Sequence, residues 1–115
     1  MIRVGNAGKK GRGMFATVNI PKGSVIERSP YIYIPSKDFE DLQGTTIERY
    51  WFYVSGRDNK ANNAIGLGYT SLYNHSKKPN ADWIILPRSK MIKVMALRDI
   101  RKDQEITINY GYEVK

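Results

Sequence analysis

Apolar and polar residues alternate along the chain in short runs rich in β-branched and aromatic side chains, at 14–18, 25–27, 31–34, 50–54, 82–86, 91–97 and 105–110. Such side chains fit a pleated, half-buried surface, and Gly, Pro, Asn and Lys punctuate the gaps between runs. The pattern predicts a mostly β chain of short strands and small sheets with at most one or two short helices. The helical candidate lies within 38–48. Between two of the runs, Leu86, Pro87, Arg88, Ser89 and Lys90 read as a hairpin turn.

One internal similarity organises the pattern further. Ala16, Ile20, Lys22 and Ile26 recur in register eighty positions later as Ala96, Ile100, Lys102 and Ile106. Each copy reads as a strand end, a turn at Gly23 or Asp103, and a new strand. Where the first copy has Val25, expected to face the core, the second has Glu105. A carboxylate there is either a solvated edge residue or, if buried, paired or hydrogen-bonded. In the last strand the period of two puts Ile106, Ile108 and Tyr110 on one face and Thr107 and Asn109 on the other. Read alone, Tyr110 is therefore a core residue with a satisfied hydroxyl.

Composition narrows the function classes. The 115 residues, 41% hydrophobic and 26% charged, suit one globular domain spanning 1–115. No apolar run reaches the roughly 18 residues of a membrane span, and the start lacks a signal-peptide core. An intracellular protein is expected, cytoplasmic in a prokaryote or nuclear in the host of a virus. With no cysteine and a single histidine, disulfides and a zinc or other metal centre are not expected. The net charge of +8 suits polyanions, but the cations are dispersed over several turns. DNA contact through a basic surface is one expectation, and an ordinary solvated surface is the other.

Three segments carry candidate chemistry. Lys10, Gly11, Arg12, Gly13, Met14, Phe15 and Ala16 form a glycine-rich turn entering a strand, where missing Cβ atoms let a ligand approach the backbone. No helix pattern follows, so this is not a phosphate-binding fingerprint. Asn74, His75, Ser76, Pro79 and Asn80 crowd polar groups around a proline turn, which by itself reads as a loop braced by its own side chains. The third segment runs from Glu105 to Asn109, Tyr110, Gly111 and Tyr112.

In this order and spacing the three segments resemble the SET domain family of protein lysine methyltransferases. Gly11, Arg12 and Gly13 are similar to its Gly-x-Gly motif. Asn74, His75, Ser76, Pro79 and Asn80 are similar to its Asn-His-Ser-x-x-Pro-Asn motif, and residues 103–112 to its carboxy-terminal motif, second tyrosine included. The resemblance implies a β-clip fold with a carboxy-terminal pseudoknot, in which the Asn74-His75 segment and the last strand cross beside one pocket and Glu105 secures the crossing. It implies S-adenosylmethionine as methyl donor, S-adenosylhomocysteine as product, and no metal. By the same resemblance Arg12, Gly13, Met14, Asn74, His75 and Tyr110 hold the cofactor, the Arg12 side chain reaching its carboxylate. Tyr110 is the catalytic side chain, and Tyr112 and Tyr50 line the substrate channel.

The implied substrate is a lysine-containing protein, of histone or other chromatin type. Asp38, Glu40, Asp41 and Glu48 are candidates for an acidic rim that would receive it. The segment Thr70, Ser71, Leu72 and Tyr73 lacks the Arg that many members carry before the Asn-His pair. No cysteine cluster follows Tyr112 either, so a homodimer partner or the bound peptide is expected to complete the channel. Two other readings fit parts of the chain. Related clip-like modules without activity share the turn at 20–26, and a small nucleic-acid-binding β protein would use the charge and the 11% of aromatic residues for stacking.

Overall fold

The computed structural model describes residues 1–53 and 63–109. The elements in chain order are β1 (Ile2–Asn6), β2 (Arg12–Ala16), β3 (Val25–Ile34), α1 (Ser36–Leu42), β4 (Trp51–Tyr53), β5 (Asn63–Gly66), β6 (Asn74–His75), β7 (Ala81–Leu86), β8 (Met91–Ala96) and β9 (Glu105–Ile108). One sheet has the order β1-β2-β9-β6 and the other β4-β5-β3-β8-β7. This is the mostly β architecture of small sheets that the alternation predicts, with α1 the only α-helix among the described residues.

Where the strands depart from the sequence pattern, partners explain it. The runs at 25–27 and 31–34 are one strand, β3, that changes neighbour midway. It pairs β8 as far as Pro30 opposite Met91, then β5 from Tyr31 opposite Gly66. Pro30 lacks an N–H and sits at this handover, where its carbonyl accepts the Leu67 amide at 2.9 Å. β1 and β5 carry too few alternating apolar residues to announce themselves, and they form because β2 and β3 offer them an open edge. The helical candidate at 38–48 splits into α1 and a 3-10 turn at Thr46–Tyr50. Gly44 breaks it with φ 81°, and Glu48 accepts the Gly44 amide at 2.9 Å.

The internal similarity is a pseudo-two-fold relation between strand pairs. Phe15 of β2 pairs with Glu105 of β9, and the offset counterparts Met95 of β8 and Val25 of β3 pair likewise. Ala16 donates to the Gln104 carbonyl at 3.0 Å and Ala96 to that of Ser24 at 2.9 Å. The Lys102 amide meets the Asn19 side chain at 2.9 Å, and the Lys22 amide meets that of Asp99 at 2.8 Å. On the axis Ile20 and Ile100 exchange both backbone bonds, at 2.7 and 2.8 Å, and both are buried. Each turn needs a left-handed residue, supplied by Gly23 (φ 86°) and Asp103 (φ 71°).

One expectation about faces is corrected, and a second face proves buried. Val25 is 43% exposed, not core-facing, because its side of β3 has no covering layer among the described residues. In β9, Thr107 is buried as well as Ile106 and Ile108, since the strand lies inside its sheet and packs against β7. The largest fully buried side chains, Trp83, Tyr73 and Met14, belong to a single core cluster drawn from both sheets.

Candidate active site

The parallel pairing of β6 with β9 brings the second and third motifs together. Asn74 lies opposite Thr107 and His75 opposite Ile108, and Ser76 continues the pairing by donating to the Ile108 carbonyl at 2.9 Å. This is the crossing expected beside the pocket. Asn80 locks it from the far side. Its amide donates to the Glu105 carbonyl at 2.8 Å and accepts the Thr107 amide at 2.9 Å, leaving a buried side chain fully satisfied.

The glycine turn reaches the same place through Glu105. One Glu105 oxygen accepts the Asn74 amide at 2.8 Å, and the other faces Lys10 at 3.4 Å. Asn74 also donates to the Arg12 carbonyl at 3.0 Å, so β2, β6 and β9 are joined at one point. Gly13 makes this approach feasible. A Cβ there would sit 2.5 Å from the Glu105 carboxylate and 2.7 Å from the Asn74 amide. Glu105 is thus a half-buried, hydrogen-bonded carboxylate, the second of the two alternatives its sequence position left open.

Beside this junction lies a cleft of about 210 Å³. Lys10, Gly11 and Arg12 form one wall, Ser71 to Asn74 another, and Arg49 with Tyr50 a third. Three cations converge on it, and within hydrogen-bonding reach of them only Glu105 answers Lys10 among the described residues. The cleft therefore suits a ligand with an anionic group and hydrogen-bonding edges.

Tyr50, Arg12 and Asn74 all line this cleft, with Tyr50 37% exposed. Gly13 lies behind the cleft, and Met14, fully buried between β1 and β9, does not line it. His75 is half-buried next to Asn74. Tyr110 and Tyr112 lie outside the described residues. Of the acidic-rim candidates, Glu48 closes the Gly44 turn, while Asp38, Glu40 and Asp41 are exposed.

Two residues that sequence patterning does not single out also shape the site. The fully buried Trp83 donates its indole N–H to the Asn109 carbonyl at 2.9 Å, one peptide bond before Tyr110. Tyr73 is buried and donates to Glu27 at 2.8 Å. Its burial, then the negative charge and hydrogen bond of Glu27, push the phenol far above its ordinary value, so it stays protonated. A motif search would not find either residue, since Trp83 is an ordinary aromatic in an apolar run and Tyr73 precedes the Asn-His motif without belonging to it.

The SET domain family model matches residues 11–111, nearly the whole chain. A histone-lysine N-methyltransferase from Schizosaccharomyces pombe, specific for H3 lysine-37, is 35% identical over 103 residues, covering 90% of this chain and 68% of that protein.

The chain belongs to the SET domain family of protein-lysine methyltransferases.

Among solved structures, a Plasmodium falciparum protein described as a candidate histone methyltransferase is 29% identical with a TM-score of 0.74, covering 99% of this chain and all of that one. The Neurospora SET protein DIM-5, a histone lysine methyltransferase, shares the fold at a TM-score of 0.73 and 21% identity, over 99% of this chain and 53% of its own. In SET domain terms, the Gly-x-Gly turn and the Asn-His motif of this chain are the two sides of one junction, with Glu105 between them.

Proposed function

We propose that this SET domain methylates a lysine of a histone or histone-like protein, with S-adenosylmethionine as methyl donor. The observation that carries the proposal is the cleft at the Glu105 junction, where the glycine turn, Asn74 and Tyr50 meet. The residues present fit the donor: cations for a carboxylate, a glycine edge for close backbone approach, and an amide beside it.

Arg12 and Lys10 would hold the donor's carboxylate. The Arg12 and Gly13 backbone, with Asn74 and His75, would hold the rest. When bound, the donor supplies a methyl group activated by the positive charge on sulfur. The protein's task is alignment, since in-line displacement needs the amine about 3 Å from the methyl carbon. Tyr50 and Tyr112 would line the lysine channel with aromatic faces that suit a cationic stem. Tyr110 would orient the amine through its hydroxyl. Neither Glu105, bonded to Asn74 and Lys10, nor the protonated Tyr73 is available as a general base. On this reading the lysine proton is lost to water.

The test is methylation of histones with labelled S-adenosylmethionine by wild type and Tyr110→Phe. We expect the variant to lose about 100-fold or more in kcat while binding the cofactor as wild type does. Unchanged activity would remove Tyr110 from the mechanism. Because free lysine titrates near about 10.4, only its small neutral fraction reacts at pH 7. The rate should thus climb with pH while chemistry limits, and a flat profile from about pH 6 to 10 would contradict proton loss to water.

A further inference from the structure

Glu27 is a half-buried carboxylate that the reaction described above does not use, and β3 is distorted to aim it inward. The register of β3 on β8 slips between Val25 and Glu27, with Val25 opposite Met95 and Glu27 opposite the fully buried Val94. Without this bulge, alternation would send Glu27 to the same outer face as Val25. With it, Ile26 and Glu27 both turn inward, a re-aiming that bulges commonly perform beside functional sites.

The inward carboxylate meets three donors. One oxygen accepts the Tyr69 backbone amide at 2.8 Å and the Ser29 hydroxyl at 2.6 Å, and the other accepts the Tyr73 hydroxyl at 2.8 Å. Tyr69 and Tyr73 bracket the 3-10 turn Thr70–Leu72. Gly68 permits the approach, having φ 68° and a Cβ position that would lie 2.6 Å from Ser29 Oγ and 2.9 Å from Glu27 Oε2. The bracketed segment leads directly into Asn74, and Ser71 to Asn74 form one wall of the cleft. Side-chain bonds from Thr70 to the Leu67 carbonyl and from Ser71 to the Gly66 carbonyl return to the chain just before it. Glu27 instead ties both ends of the turn to the central strand of the five-stranded sheet.

We propose that Glu27 is a positioning residue for the cofactor site, a carboxylate clamp that fixes the wall from Tyr69 to Tyr73 and so the placement of Asn74. The proposal rests on the reading of the cleft as the S-adenosylmethionine site. Charge-assisted bonds to a half-buried carboxylate are strong enough to set such a segment, and an amide in its place cannot accept from all three donors.

The experiment has two readouts on Glu27→Gln, Tyr73→Phe and Ile85→Ala, the last a destabilised control in the core remote from the cleft. Calorimetry with S-adenosylhomocysteine should give a Kd raised about tenfold for Glu27→Gln and about threefold for Tyr73→Phe, with Ile85→Ala unchanged despite its lower Tm. Hydrogen exchange without ligand should show the Tyr69 and Leu72 amides opening at least about tenfold faster in Glu27→Gln than in Ile85→Ala. Should Glu27→Gln fail to fold, Tyr73→Phe carries both readouts. Unchanged Kd in both clamp variants, or a Kd that follows Tm equally in all three proteins, would overturn the clamp. If wild type binds no S-adenosylhomocysteine, the cofactor reading fails, and the exchange rates alone decide whether Glu27 holds the segment.

Discussion

The β2–β9 pair and the β8–β3 pair are built on the same backbone plan, yet only the first borders the cleft. Their turns, left-handed residues and turn-proximal ladder bonds correspond across the offset of eighty as far as the Phe15–Glu105 and Met95–Val25 pairs, beyond which β3 bulges. Of the many side-chain differences between them, two bear on the cleft. Gly13 corresponds to Lys93, and Glu105 to Val25. In the first pair the missing Cβ lets a carboxylate and an amide meet behind β2. In the second, the same positions carry a partly exposed Lys93 and an exposed Val25 that hold nothing together. A backbone frame can therefore be reused for packing on one side and for a site on the other, and two side chains decide which.

The sharpest way to break this comparison is at Gly13. Gly13→Ala puts a methyl group into the Glu105–Asn74 contact, where it would push apart two side-chain ends that are hydrogen-bonded to each other. We expect a stability loss of about 2 kcal/mol and a fall of about 100-fold in S-adenosylhomocysteine affinity, read by thermal melting and calorimetry. The corresponding Lys93→Ala should stay within about 0.5 kcal/mol of wild type and bind normally. Next is a side-chain exchange between the halves. Glu105→Val imports the residue of the other copy and leaves Lys10 without its carboxylate and Asn74 with only the Arg12 carbonyl. Affinity should fall about tenfold, whereas Val25→Glu, on an exposed position, should change neither affinity nor stability measurably. The smallest effect concerns the link between the halves, since Trp83 stands on the strand beside β8 but bonds the end of β9. Trp83→Phe, which keeps an aromatic ring and drops the Asn109 bond, should lower kcat about fivefold with cofactor affinity retained. Equal loss in both would place Trp83 in general packing instead.

Much of this site was legible in the chain before any coordinates. The Gly-x-Gly turn, the Asn-His motif and the final tyrosines announce a family, and the duplicated turn announces two matching strand ends. Less could be read about what faces what. Alternation assigns Val25 to the core because it assumes both sides of β3 have something to cover them, and it places Thr107 opposite the apolar face of β9 without showing that this face is buried too. Both outcomes have the same cause: the covering partners of a strand are chosen by elements far away in sequence.

The short strands, the turns at Gly23 and Asp103, the family, and Arg12, Tyr50 and Asn74 among the cleft residues are legible in the sequence alone, because they follow from local conformational preference and from motif chemistry. The tertiary structure alone decided that Glu105 joins three strands through the space left at Gly13, that Trp83 holds the carbonyl before Tyr110, and that a bulge turns Glu27 onto Tyr69 and Tyr73. Each of these depends on the register between strands distant in the chain, and a slip of one residue would send the same side chain to the opposite face.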